Sequence, residues 1–221
     1  MNLYKTHIKI CCISSIQEAN MAIEAGASAL GLVGNMPSGP GIISDELIAE
    51  IAAFTPKNID TFLLTSETST DKIIEHYSKV NTTTIQIVDA LTQGNHLDLK
   101  KAFPNVKLVQ VLHVLNENSI VEALEISNFV DSILLDSGNP NLATKELGGT
   151  GRVHNWEISK KIVEKVKIPV FLAGGLNHTN AFKAIQQVKP YGLDLCSGVR
   201  TNGHLDAQKL TSFFTAINHN Q

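Results

Sequence analysis

The chain has 221 residues, of which 43% are hydrophobic, so it is long enough to bury the core of a sizeable domain. Its formal net charge is −3 and its basic residues do not cluster, which argues against binding to nucleic acid or to an anionic membrane surface. The amino terminus lacks the apolar run of a signal peptide, and no later run is long enough to span a membrane, so we expect a soluble cytoplasmic protein.

Short β-branched runs alternate with amphipathic segments along the chain, and together they form eight strand and helix units. The first two helices are predicted over 16–25 and 45–54, with Gly26 ending the first and Ser44 capping the second. The predicted strands, in chain order, cover residues 7–11, 29–33, 61–64, 84–88, 107–113, 132–136, 170–173 and 192–195.

These strands predict the fold. Nearly continuous apolar strands are typical of a parallel sheet covered on both faces, and eight repeats favour closure into a (βα)8 TIM barrel over an open sheet. No linker rich in proline, glycine or serine and no shift in composition divides the chain. We therefore expect one barrel domain over residues 1–221.

Two of the predicted strands end in a single ionisable side chain, Cys11 on the first and Asp136 on the sixth. The carboxyl ends of barrel strands share one face, so these side chains are predicted to meet there as a base and an acid. The alternative interpretation makes Cys11 a small core residue and Asp136 a carboxylate that stabilises the turn before Ser137.

Glycines follow the last two predicted strands. Gly174 and Gly175 come after the seventh strand, and Ser197 and Gly198 come after the eighth. In barrels these loops often bind phosphate through backbone N–H groups, since glycine permits close approach. We therefore expect a small phosphorylated ligand, although glycine also begins turns for purely steric reasons.

A further glycine-rich stretch, residues 147–152, follows the sixth strand. It contains Gly149 and Arg152, whose guanidinium is suited to binding an anionic group, so the stretch is predicted to be a mobile loop that closes over substrate. The alternative is an exposed connection with a solvated arginine. The three cysteines lack the spacing of a disulfide framework or a structural zinc site, so we expect reduced thiols and no metal.

Taken together, the motifs at residues 9–11, 134–137, 148–152 with Trp156, 172–177 and 194–199 resemble those of phosphoribosylanthranilate isomerase of tryptophan biosynthesis. The resemblance covers essentially the whole chain. It implies a barrel without metal or organic cofactor, acting as a monomer or homodimer on a small phosphorylated sugar. The reaction would be an Amadori rearrangement of an N-(5-phosphoribosyl) aminoaldose to an aminoketose.

The resemblance also implies roles for individual residues. Cys11 would be the general base and Asp136 the general acid, and the phosphate would lie against the glycines described above. The substrate-binding residues implied are Lys9, Gln86, Gly149, Arg152 and Asp194. Whether Lys9 tunes Cys11 or pairs with an acid elsewhere stays open at this stage, because residues 9 and 11 lie on the same face of a strand.

The chain departs from the family pattern at several points. Cys12 replaces the usual glycine after the cysteine, and Val88 replaces the usual histidine on the fourth strand. The stretch at 36–41 lacks the arginine that meets the anthranilate carboxylate, and Arg152 or Arg200 is the candidate replacement. The hypotheses left open are a divergent isomerase, a paralogue using another phosphosugar, and a non-catalytic binding or regulatory barrel.

Another class of barrel enzyme fits the sequence less well. A ribulose-phosphate epimerase would need metal-binding histidines at strand ends, yet His113 is the only histidine placed near a predicted strand's carboxyl end. A single histidine there is more often a satisfied polar residue or a surface group than a ligand. The sequence therefore favours the isomerase interpretation.

Overall fold

The computed structural model describes residues 6–138, 151 and 153–218. Within them, eight parallel strands follow one another around a closed barrel, and the last strand pairs with the first. The strands are β1 His7–Ile10, β2 Ala29–Val33, β3 Asp60–Thr65, β4 Thr84–Ile87, β5 Lys107–His113, β6 Ser132–Asp136, β7 Val170–Leu172 and β8 Gly192–Leu195. The predicted (βα)8 barrel is confirmed.

Helices cover the outside of the barrel. They are α1 Ile16–Ala25, α2 Asp45–Phe54, α3 Thr70–Tyr77, α4 His96–Ala102, α5 Asn118–Ile126, α6 Trp156–Lys165, α7 Ala181–Val188 and α8 Ala207–Asn218. A 3₁₀ helix at Ser197–Val199 and a small antiparallel pair, β9 Arg200–Thr201 and β10 His204–Leu205, follow β8. None of the helices in the described part of the chain is both long and apolar enough to cross a bilayer.

The two helix predictions are confirmed at both ends. The Ser44 hydroxyl accepts a hydrogen bond from the Leu47 backbone N–H at 3.3 Å, which satisfies one of the free donors of α2. Gly26 ends α1 with φ of 110°, a left-handed conformation that glycine adopts without steric cost. Local capping chemistry therefore fixes these helix ends.

Alternation along the strands separates two apolar layers. Ile10, Leu30 and Leu63 belong to the larger cluster, which packs beneath the helices. Phe62 and Val109 belong to a second cluster inside the barrel. Because neighbouring strand residues point to opposite faces, the odd-numbered residues of β1 face the barrel interior.

Several predicted strand ends differ from the observed ones, and β1 has the clearest cause. The Cys11 N–H still donates to the Leu195 carbonyl at 2.7 Å, but the strand itself ends at Ile10. Cys12 then adopts φ of 63°, in the left-handed region, which turns the chain away from the barrel. The turn places Cys11 at the mouth of the barrel.

Candidate active site

The carboxyl ends of the strands surround a cavity of about 710 Å³, part of which is open to solvent. Its wall includes most of the residues singled out from the sequence, namely Cys11, Gln86, Asp136, Gly174, Gly175, Asp194 and Ser197. The floor is apolar and is formed by side chains such as Leu64, Val111 and Leu134. One concave site therefore collects side chains from β1, β4, β6, β7 and β8.

Lys9 lies beneath this cavity and is fully buried. Its Nζ donates to Asp194 Oδ1 at 2.8 Å across the β1–β8 seam, where the two residues are register partners. Burial alone would lower the pKa of Lys9, but the negative charges of Asp194 and Cys11 outweigh it and raise that pKa above its ordinary value. Lys9 therefore stays protonated at neutral pH.

Cys11 has a pKa below the ordinary thiol value. The Cys12 thiol is the main cause, since it donates to Cys11 Sγ across 3.8 Å and so stabilises the thiolate. Burial opposes this effect, and the positive charge of Lys9 reinforces it. Cys11 is therefore suited to act as a base.

Asp136 shows the opposite shift. Burial, helped by the negative charge of Asp194, raises the pKa of this carboxyl to about 6, although the backbone N–H groups of Ser137 and Gly138 lower it. An aspartate in this environment retains a proton at a pH where a free carboxyl would lose it. Asp136 is therefore suited to donate a proton.

The Lys9–Asp194 pair adds to both shifts, whose main causes are the Cys12 thiol at Cys11 and burial at Asp136. At Cys11 the charge of Lys9 outweighs that of Asp194, whereas at Asp136 the charge of Asp194 outweighs that of Lys9. Lys9 therefore both pairs with an acid, Asp194, and helps to lower the pKa of Cys11. Pairs of titratable groups whose environments push their pKa values apart are typical of acid and base partners.

Gly31 on β2 provides the space for this arrangement, and sequence reasoning did not identify it. A Cβ atom at this position would lie 2.9 Å from both Cys11 Sγ and Lys9 Nζ. No residue larger than glycine fits without displacing the thiol or the ammonium group. The available signal was a glycine inside an otherwise apolar strand, which often marks close approach by another group.

The predicted phosphate loops lie together at one end of the cavity. Gly174 and Gly175 have φ of 83° and 64°, and the Gly175 carbonyl accepts a hydrogen bond from the Asn180 side chain at 3.0 Å. Gly198 does not line the cavity, and a Cβ there would overlap the Leu176 carbonyl oxygen. Gly198 thus lets the loops after β7 and β8 pack closely, while Ser197 faces the cavity.

Residues that depart from the family pattern also line the cavity. Met36, Ser38, Pro40 and Val88 line it, and none of the described residues around the cavity is a lysine or an arginine. The wall that these four residues form is therefore apolar or uncharged within the part of the chain that the structure covers. An aromatic ring would pack well against it.

Arg200 does not replace the missing cation, so that hypothesis is wrong. Its guanidinium pairs with Glu18 at 3.0 Å and also donates to the carbonyls of Cys11 and Cys12. Arg200 is only 8% exposed and does not line the cavity. It instead holds the turn after β1 in place, a role that its distance in sequence from Glu18 concealed.

The closing loop, His113 and the acidic, cysteine and histidine side chains remain to be placed. Gly149 and Arg152, with the rest of the predicted closing loop at 147–150, lie outside the described residues. His113, at the end of β5, does not line the cavity. Among residues 6–138, 151 and 153–218, no three His, Cys, Asp or Glu side chains are arranged to hold a metal ion.

Sequence reasoning also did not identify the contact between the thiols of Cys12 and Cys196. Their Sγ atoms are 2.9 Å apart at the wall between β1 and β8. The signal was present in the sequence, because each cysteine closely follows a strand and a closed barrel makes its first and last strands neighbours.

Comparison with known proteins agrees with this geometry. Residues 8–216 match the family model of N-(5'-phosphoribosyl)anthranilate (PRA) isomerase. The chain is 36% identical over 208 residues to N-(5'-phosphoribosyl)anthranilate isomerase 2 of Methanosarcina mazei, covering 93% of this chain and 91% of that one. It is 31% identical over 211 residues to the Nostoc punctiforme isomerase, covering 95% and 97% of the two chains.

Solved structures show the same similarity. The N-(5'-phosphoribosyl)anthranilate isomerase of Pyrococcus furiosus superposes with a TM-score of 0.78 at 26% identity, covering 97% of this chain and 100% of that one. The phosphoribosyl anthranilate isomerase of Thermotoga maritima superposes with a TM-score of 0.80 at 25% identity over the same shares of the two chains. The similarity therefore extends over the whole barrel.

Proposed function

The chain belongs to the N-(5'-phosphoribosyl)anthranilate isomerase family, and from that premise we propose how its residues carry out the reaction. The protein is an intramolecular aldose–ketose isomerase acting on a phosphorylated substrate. The observation that carries the proposal is that Cys11 and Asp136 face one cavity with pKa values shifted in opposite directions.

Asp136 protonates the ring oxygen of the phosphoribosyl group as the bond between that oxygen and the anomeric carbon breaks. The nitrogen lone pair forms the double bond of a protonated Schiff base. The Cys11 thiolate then removes the proton from the adjacent sugar carbon, giving an enolamine that rearranges to the ketone. Each step needs one proton donor or one acceptor, so a single acid and a single base suffice.

The phosphate is held at the end of the cavity formed by Gly174, Gly175 and Ser197, with Gly198 allowing the two loops to approach. Backbone N–H groups near a short helix start bind a phosphate without any metal ion. The Gln86 side-chain oxygen is buried and without a hydrogen-bond partner in the described structure, and Gln86 lines the cavity. It therefore accepts a hydrogen bond from a substrate hydroxyl or amine.

The aromatic part of the substrate packs between Met36, Pro40 and Val88. The family and its relatives favour the anthranilate substrate over another phosphosugar and over a non-catalytic role. Gly149 and Arg152 are proposed to complete the substrate site, with Arg152 as the cation for the anthranilate carboxylate. A charge-assisted hydrogen bond of this kind contributes about 1.5 to 3 kcal/mol.

We also propose that residues 1–221 form one domain, and that the protein acts in the cytoplasm as a monomer or a homodimer. The low net charge and unclustered basic residues support a protein with small-molecule partners only. Light scattering on the purified protein distinguishes monomer from homodimer.

The test is an assay of the reduced protein with phosphoribosylanthranilate, followed by complementation of a tryptophan auxotroph. We expect turnover, robust growth, and loss of turnover in both Cys11→Ser and Asp136→Asn with the fold intact by circular dichroism. His113→Gln is the matched control, since His113 also ends a strand but lies outside the cavity lining. Normal activity in both active-site variants would refute the assignment of acid and base.

A further inference from the structure

The two thiols of Cys12 and Cys196 form a close pair on the wall of the cavity. Their Sγ atoms are 2.9 Å apart, and Cys12 Sγ lies 3.8 Å from Cys11 Sγ. All three cysteines are free and line the cavity. A disulfide has a sulfur–sulfur distance of about 2.0 Å, so the pair needs to close by only roughly 0.9 Å.

The backbone holds this pair in position. The Cys11 N–H donates to the Leu195 carbonyl at 2.7 Å, so the first and last strands remain bonded up to the point where the thiols meet. Gly41 leaves room for the Cys12 side chain, because a Cβ at residue 41 would lie 2.5 Å from Cys12 Cβ. The thiols are therefore preorganised.

We propose that Cys12 and Cys196 are an oxidation site, and that a peroxide entering the cavity converts them into a reversible disulfide that reduces the activity of the enzyme. The formation of the disulfide stands on the geometry alone. Its effect on activity rests on the proposed function, because it acts through Cys11.

The chemistry begins at Cys196, which is more exposed than Cys12. Its thiolate attacks one oxygen of hydrogen peroxide, the O–O bond breaks, and the products are a sulfenic acid and hydroxide, which takes up the thiol proton as water. The Cys12 sulfur then attacks the sulfenic sulfur, the S–O bond breaks, and the Cys12 proton leaves with the hydroxide as a second water. Two thiols are oxidised and the peroxide is reduced to two waters.

Arg200 holds the backbone that carries Cys12. Its guanidinium donates to the Cys12 carbonyl and lies close enough to Cys12 and Cys196 for both thiols to affect its pKa. Cys11 is the competing thiol, and the test distinguishes it from this pair.

The disulfide removes the hydrogen bond that Cys12 donates to Cys11 and pulls on the peptide that joins the two residues. A catalytic group displaced by about 1 Å can lose on the order of 10²-fold in rate. We therefore expect kcat/KM to fall on the order of 10²-fold on oxidation and to recover on treatment with a dithiol reductant.

The experiment treats the reduced full-length protein with hydrogen peroxide, alkylates the remaining thiols, and measures intact mass and peptide linkage. We expect a loss of about 2 Da before alkylation and labelling of one cysteine rather than the three of the reduced chain. Cys12→Ser and Cys196→Ser should each prevent the loss. Cys11→Ser is the matched control and should still form the disulfide, since it retains both members of the pair.

Linkage of Cys11 to either other cysteine, or oxidation confined to Cys11, would overturn the inference. A Cys12–Cys196 disulfide that leaves kcat/KM unchanged would overturn the proposed effect of oxidation on activity. If the reduced protein has no isomerase activity, the proposed function fails while the mass result still decides the oxidation site. If the enzyme is active and no disulfide forms, only this inference fails.

Discussion

Burial of Asp136 favours catalysis but reduces the stability of the fold at the pH values where this carboxyl ionises. Burial raises its pKa to about 6, against an ordinary value of 3.8. A group whose pKa is raised by folding makes its full contribution to stability only at pH values below its pKa in the unfolded state. That contribution is lost as the pH rises through the folded value, because the buried carboxyl must then ionise without adequate solvation.

Asp136→Asn should therefore abolish turnover and stabilise the fold at pH 8. The pKa difference of about two units, at 1.36 kcal/mol per unit, sets an upper limit of roughly 3 kcal/mol, and we expect about 1 to 3 kcal/mol. Urea unfolding should show that the difference in unfolding free energy between Asp136→Asn and the unmodified protein grows between pH 4 and about 6 and stays constant above that. The exposed Asp71→Asn is the control, and an equal gain there would contradict the interpretation.

Lys9 gives a second prediction at the residue scale. Lys9→Met removes the positive charge beside Cys11, so the pKa of the Cys11 thiol should rise and its alkylation by iodoacetamide should slow at neutral pH. The variant also leaves Asp194 buried without its partner, at a cost of about 3 to 5 kcal/mol in unfolding free energy. Lys72→Met, at an exposed ion pair, should change neither quantity appreciably.

Measurement of the Cys11 alkylation rate against pH, with mapping of the labelled peptide, checks this prediction without using activity. An unchanged pH dependence in Lys9→Met would show that Cys12 alone tunes the thiol. A folded protein with slower labelling of Cys11 is the expected result at neutral pH.

At the scale of the elements, β2 shapes the site although it contributes no charged group. Gly31→Ala should lower kcat/KM by roughly tenfold or more, because the added methyl group would lie 2.9 Å from Cys11 Sγ and Lys9 Nζ and would displace both. Gly34→Ala is the matched control near the same strand. Its methyl group would overlap the His76 ring, which is outside the cavity lining, so stability rather than turnover should suffer.

Steady-state kinetics and urea unfolding on both variants separate the two effects. Loss of turnover in Gly34→Ala alone would contradict this account of β2. The same loss in both variants, with equal destabilisation, would show that the strand acts only through the fold.

The elements also show what the sequence could and could not predict. Helix α2 was predicted to the residue because Ser44 caps it locally through Leu47 N–H. The end of β1 was placed one residue late, because the left-handed turn at Cys12 leaves no trace in hydrophobic periodicity. Arg200 was misjudged because its partner Glu18 lies 182 residues away, and spacing along a chain cannot reveal such a contact.

Across the whole molecule, two buried ion pairs join the beginning of the chain to its end. Lys9 pairs with Asp194 between β1 and β8, and Glu18 on α1 pairs with Arg200 after β8. The Glu18 carboxylate also accepts hydrogen bonds from the backbone N–H groups of Ser14 and Leu205. The seam that closes the barrel is therefore held by charges as well as by strand pairing.

Glu18→Gln tests this closure. Burial alone would raise the pKa of Glu18, but the hydrogen bonds and charge of Arg200 hold it below the usual value. A lowered folded-state pKa contributes stability above the unfolded value, and that stability is lost as the pH falls through the folded value. We expect Glu18→Gln to lower the free energy of unfolding by roughly 3 kcal/mol at pH 7, with the difference shrinking below pH 4.

Urea unfolding at pH 7 and in acid measures this difference, and Glu24→Gln on the exposed face of the same helix is the control. Because Arg200 also holds the Cys11 and Cys12 carbonyls, Glu18→Gln should loosen the turn that carries the base and lower kcat/KM as well. Equal stability of the two variants at pH 7 would show that strand pairing alone closes the barrel. A stability loss without any change in kcat/KM would separate closure of the barrel from placement of the base.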